Sequence, residues 1–202
     1  MREITTKIYP FSELNDKAKN RALESFRDIN VDYDWWDCIY EMWTESLREE
    51  IGINKAEISS SGFYSQGDGA SFSGNIDNKW LSNFVIEHTD SYPILASRIT
   101  SQKTESKIEI FDAVVIRNQS RNSHEYTCRV SVDVPVSDEV GIEGEVGNLE
   151  IALEEIRLNL CRELYRDLER QYEFLTSDEM IAETIEANEY EFDESGKFVP
   201  GV

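Results

Sequence analysis

Apolar residues recur along this chain with two periods, and the switches between them mark out its elements. Residues 3–9 (EITTKIY) alternate, with Ile4, Thr6 and Ile8 on one face, which predicts a strand ended by Pro10. Leu14, Ala18, Ala22, Leu23 and Phe26 then fall at helical spacing behind an N-cap at Ser12 or Asn15. A second helix is predicted over about residues 34–50, with Gly52 as its C′ residue. Its stripe of Trp35, Trp36, Ile39, Tyr40, Trp43 and Leu47 is too wide for a helix with one covered face. Residues 57–64 and 70–76 are β-prone and flank the turn Ser65-Gln66-Gly67-Asp68-Gly69. Short helices follow over residues 78–87 and about 92–100, the latter with Pro93 in its first turn.

A second hairpin is predicted from residues 107–117 and 125–134, joined by a polar turn at 118–123. Val130, Val132 and Val134 share one face there and Arg129, Ser131 and Asp133 the other, as in an antiparallel sheet with one wet side. Residues 135–147 read as a loop. Leu149, Leu153, Ile156, Leu160, Leu164 and Leu168 then step along one face of a long helix over about 148–172. Thr176 and Glu179 have the spacing of a capping box for a last helix through about Ala187, and residues 190–199 end as a small hairpin turning at Ser195-Gly196. The pattern lacks a βαβ rhythm. It predicts one α+β domain over residues 1–202: an antiparallel sheet of two or more hairpins, packed against several helices that include a long C-terminal one. Residues 148–202 form a helical subregion within it.

The stretch Ser61–Gly74, SGFYSQGDGASFSG, holds four of the ten glycines between the aromatics Phe63, Tyr64 and Phe72. Asp-Gly is a strong hairpin signal because glycine takes positive φ without steric cost. One reading is a tight bulged turn with a polar tip. The other presents Tyr64, Gln66, Asp68, Ser71 and Phe72 to a ligand or partner, with Trp36 and Tyr40 as further aromatic anchors. It is not a phosphate loop, since no Lys follows the glycines and a strand rather than a helix comes next.

Charge sharpens the picture. The 41 Asp and Glu against 20 Lys and Arg give a net charge of −21. Such a chain is repelled by nucleic acids and anionic membranes and attracted to basic surfaces. No apolar run approaches the roughly 18–20 residues of a membrane helix, and the N-terminus carries no apolar signal region, so a cytoplasmic location is expected. Between Glu173 and Ser195 there are nine acidic residues and no Lys or Arg. Asp178, Glu183, Glu186, Glu189 and Glu191 are the expected acidic partner surface, resembling a row of phosphates.

Motifs for chemistry are sparse. His88 with Glu87 or Asp90, and His124 with Glu125, do not match a zinc spacing, and Cys38, Cys128 and Cys161 are dispersed and read as reduced. There is no GxSxG, and with so many carboxylates a catalytic pair cannot be singled out. No catalytic residue, metal or cofactor is assigned.

The runs YPFSELNDKAKNRALESFRD, YDWWDCIYE, SGFYSQGDGASFSG and LERQYEFLTSDEMIAETIEANEYEFDESGKF, in this order and spacing, resemble a family of phage- and prophage-encoded accessory proteins. The resemblance implies a context and carries over no site residue. Small acidic accessory proteins of this kind resemble inhibitors of host defence. The leading expectation is therefore a non-enzymatic protein that blocks a host bacterial protein with a basic, nucleic-acid-handling surface. The alternative is sequestration of a small nucleotide-type signal at the Gly-rich hairpin.

Overall fold

A computed structural model describes residues 7–102, 111–118, 120–134 and 141–200. Residues 3–6 of the strand predicted at 3–9, the first part of the strand predicted at 107–117 and residues 135–140 of the loop predicted at 135–147 lie outside them. The fold is α+β with antiparallel sheets and a long C-terminal helix. The chain divides into two compact units, residues 1–37 with 168–202, and residues 38–167.

In the discontinuous unit, a two-residue strand β1 (Tyr9–Pro10) leads through a 3-10 turn into α1 (Asp16–Ser25). Asn15 caps α1 by accepting from Ala18 N at 3.1 Å, so the Asn15 alternative holds. Phe11, Leu14, Ala18, Ala22 and Leu23 bury against Ile181, Ile185 and Phe192, with Phe26 and Phe198 ring-on-ring beside them. The later part of this unit is α6 (Asp178–Ala187) and β6 (Glu191–Phe192), which pairs antiparallel with β1. Its N-cap is Ser177, accepting from Met180 N, and not the predicted Thr176. The preceding helix runs on to Leu175, so the Thr176 hydroxyl is spent on Tyr172 O at 2.8 Å. Buried Asn30 ties the two helices together, donating to Leu175 O and accepting from Thr184 Oγ1.

The second unit begins with α2 (Asp37–Ile51). Trp35 and Trp36 precede this helix as an edge-to-face pair, 5.7 Å between centroids, so the expected helical stripe loses both. Gly52 closes α2 at φ +73°, as expected. Four strands follow in the order β2 (Glu57–Ser61), β3 (Gly69–Asn75), β4 (Asp112–Arg117) and β5 (Cys128–Asp133), every pair antiparallel. Between β3 and β4 lie α3 (Asn78–Glu87) and α4 (Pro93–Gln102). Phe72, Val115, Val130 and Val132 turn inward.

The long helix α5 (Ile142–Leu175) starts six residues earlier than the leucine pattern indicates, and residues 142–147 are helix rather than loop. The reason is tertiary. Glu145, 8% exposed, accepts from Ile94 N and Leu95 N at 2.9 Å each and satisfies the N-terminus of α4. Further along α5, Glu150 and Glu154 accept from Val132 N and Val130 N. A helix advances about 6 Å over four residues and a strand about 6.8 Å over two, so the two carboxylates track the open edge of β5 and close it.

Candidate functional site

Three groups of side chains stand out by their geometry. The first is the acidic face. Residues Glu179, Glu183 and Glu186 fall at intervals of four and three on α6, opposite the buried Ile181 and Ile185. Asp178 and these three are exposed, as are Glu189 and Glu191. Arg27 donates to Asp178 at 2.7 Å and to Glu24, and these bonds raise its pKa. Glu183, Glu186, Glu189 and Glu191 form no ion pair among the described residues. Of the five expected carboxylates, one is therefore partly neutralised and four are open.

The end of α6 has an unusual feature. Tyr190 N donates to Ile185 O and Glu189 N to Glu186 O, the paired bonds of a Schellman motif. Its C′ residue, where glycine is the usual choice, is Glu189 at φ +53°. A side chain there is strained, and a carboxylate at a helix C-terminus is repelled by the helix dipole.

The second group is the Gly-rich hairpin. The strands end earlier than predicted, leaving residues 62–68 as its tip. Asp68 is turned inward: its carboxylate accepts from Ser65 N at 2.7 Å and holds the turn. Ser71 and Phe72 are fully buried, Phe72 in the core, so neither is presented. Gln66 is exposed, and Tyr64 is 70% exposed at φ +73°. Trp36 is half-buried beside Trp35, and the half-buried Tyr40 shares a hydrogen bond with Ser60 at 2.9 Å. Only Tyr64 and Gln66 of the hairpin residues named from sequence face solvent.

The third group is one that sequence reading missed. Cys128 on β5 and Cys161 on α5, 33 residues apart, lie buried with sulfurs 3.8 Å apart. Arg157, 1% exposed, donates to Cys128 Sγ at 3.0 Å, to Glu125 O at 2.6 Å and through two nitrogens to Glu154. The hydrogen bond from the Cys161 thiol, aided by the charge of Arg157 and against the effect of burial, draws the Cys128 thiol down to about 6. That same bond and burial push Cys161 up. The opposite shifts favour ionisation of Cys128 over Cys161, beside a buried guanidinium. Burial opposes the charge on Arg157, but Glu154 and the thiolate outweigh it and its pKa is raised. Cys38 is exposed.

The histidines engage in local backbone bonds: His88 Nδ1 with Phe84 O, and His124 Nδ1 accepting from Tyr126 N. Among the described residues no cluster of three or more His, Cys, Asp or Glu could hold a metal ion, and no helix is long and apolar enough to cross a membrane.

A family model described as a domain of unknown function (DUF8835) matches residues 35–178, more than two thirds of the chain. The chain belongs to the DUF8835 family. No curated protein matches it, and no solved structure does. The DUF8835 match takes in the Gly-rich hairpin and the thiol cluster and ends at Asp178, so Glu183, Glu186, Glu189 and Glu191 lie beyond it.

Proposed function

We propose that this DUF8835 protein is a non-enzymatic binding protein whose acidic face, on α6 and the turn after it, captures a basic protein surface. Glu189 carries the reading. A glutamate held at positive φ, against the dipole of its own helix, costs stability that glycine would spare. Such local cost is tolerated where a side chain serves recognition. Beside it, Glu183, Glu186 and Glu191 are exposed and form no ion pair among the described residues. The resemblance to phage-encoded accessory proteins makes the partner a host bacterial protein with a nucleic-acid-handling surface, met in the cytoplasm, and makes the binding a counter to host defence.

Two outcomes are expected. Glu189→Gly stabilises the discontinuous unit by about 1 kcal/mol, the αL strain and dipole repulsion removed outweighing the extra freedom glycine gives the unfolded chain. Denaturant unfolding checks this; a loss of stability contradicts the strain. In affinity capture from bacterial extract, the wild type retains a basic protein at low salt and releases it as salt rises toward about 0.5 M. Glu183→Lys/Glu186→Lys/Glu191→Lys retains none. Equal capture by both argues against the acidic face.

The sequestration of a small nucleotide at the hairpin has less support, because Asp68, Ser71 and Phe72 are committed to the turn and the interior.

A further inference from the structure

We propose that the cleft where β3 and β4 part binds a small organic anion, its carboxylate or phosphate group held by Arg117 and Lys55 and its apolar part laid on Ile116. Strands β2 and β3 pair from Glu57↔Ser73 to Ser61↔Gly69, and β4 and β5 over their whole length. Strands β3 and β4 pair only at Gly74↔Val115 and Asn75↔Val114. Beyond Val115 they diverge, and an open cavity of about 920 Å³ lies there, lined by Lys55, Glu57, Ser73, Asn75, Ile116 and Arg117 among others.

Arg117 is the reason to expect an anion. Its two terminal nitrogens donate to neutral hydroxyls, Ser59 Oγ and Ser123 Oγ. Its buried Nε has no acceptor among the described residues. Among the described residues it has no carboxylate partner, in a chain with 41 of them. A partly buried guanidinium served only by neutral groups is poorly compensated. Its fork suits carboxylate and phosphate oxygens. Lys55, in the same wall, likewise forms no ion pair among the described residues and adds a second positive charge. Ser73 and Asn75 supply hydroxyl and amide groups, Ile116 is an exposed apolar surface, and Glu57 sets an acceptor against a donor on the ligand.

The site lies in residues 38–167 and involves none of the α6 carboxylates, so it stands or falls separately from the acidic face. The test is NMR titration of the isotope-labelled full chain with phenyl phosphate, benzoate and, as the uncharged control, benzyl alcohol. At least one anion is expected to shift the amides of Ser73, Asn75, Ile116 and Arg117 in a saturable way, and benzyl alcohol is not. The stronger of the two anions identifies the ligand group as phosphate or carboxylate. Arg117→Gln is expected to weaken binding about tenfold or more. Lys55→Gln, at an exposed side chain that the fold does not use, is expected to weaken it severalfold with an unchanged melting temperature. The proposal is overturned if neither anion shifts those amides by about 10 mM, a concentration at which even millimolar affinity would saturate. It is overturned equally if benzyl alcohol binds as well as the anions, or if Lys55→Gln leaves the affinity unchanged.

Discussion

Replacing Arg157 by alanine lowers the unfolding free energy by about 3–5 kcal/mol, the range for breaking a buried charge pair by removing one partner. The side chain is 1% exposed and ties the Glu125 carbonyl, Cys128 Sγ and Glu154 to one point, so its loss releases β5 from α5 and opens a cavity between them. Arg157→Met keeps most of the volume and should recover part of the loss. The remainder measures what the charge contributes. Chemical denaturation followed by tryptophan fluorescence reads both variants. A cost below about 1 kcal/mol for the alanine variant would contradict both the charge and the packing assigned to this side chain.

The thiols give this cluster a pH signature. Cys128 ionises in the folded chain near 6, below the ordinary thiol at 9.0, so it contributes stability that is present above 9 and lost as pH falls toward 6. Cys161 is shifted the opposite way: the folded chain keeps that proton where the unfolded chain gives it up, so above 9 its contribution falls as pH rises. Stability from the pair therefore climbs between about pH 6 and 9 and declines beyond. In Cys128→Ala the climb is absent.

Replacing Gly196 by alanine is expected to cost about 3 kcal/mol or more in the discontinuous unit. Gly196 sits at φ +81°, and a Cβ there would stand 2.1 Å from Ala18 O in α1. The positive φ accounts for roughly 1–2 kcal/mol and the overpacking for another 1–3. Neither strain relaxes easily. The turn is pinned by Asp193, which accepts from Ser195 N and Lys197 N, and by Arg21 donating to Ser195 Oγ at 3.0 Å. The contact it protects is the packing of Phe192 and Phe198 on α1. Thermal unfolding with a near-ultraviolet signal from the aromatic cluster checks it, and a variant that melts with the wild type contradicts it.

What the sequence disclosed is mostly what local chemistry decides. Asn15, Gly52 and Pro93 announce helix ends because a cap, a positive φ and a missing N–H act within one turn. The leucine ladder from 149 to 168 reads correctly for the same reason, its period being that of the helix itself. Glu145 shows where such reading stops. Nothing near it in sequence tells that its carboxylate serves Ile94 N and Leu95 N, so residues 142–147, glycine-rich and acidic, resemble a loop. Glu150, Glu154 and Arg157 look like the solvated side of α5, yet they close the edge of β5 and hold a thiol pair assembled from residues 33 apart. The one trace of this in the sequence is spacing. Glu150, Glu154 and Arg157 fall at intervals of four and three immediately beside the leucine ladder.

Candidate site residues divide along the same line. The acidic run was legible because uninterrupted charge on an amphipathic helix has to face water, and four of its five named carboxylates are open. The strain at Glu189 was not, since it depends on how α6 terminates. In the hairpin, glycine spacing located the turn but not the direction of its side chains. Asp68 satisfies Ser65 N, and Phe72 fills the core, because the strands end at Ser61 and resume at Gly69.

The most direct measurement of the acidic face is the affinity of the captured partner, determined calorimetrically at a series of salt concentrations for the wild type and for Glu183→Lys/Glu186→Lys/Glu191→Lys. A dissociation constant that rises steeply with salt for the wild type, and no measurable binding for the variant at any salt, is the predicted result. Binding of equal strength by both proteins, unchanged by salt, would contradict it.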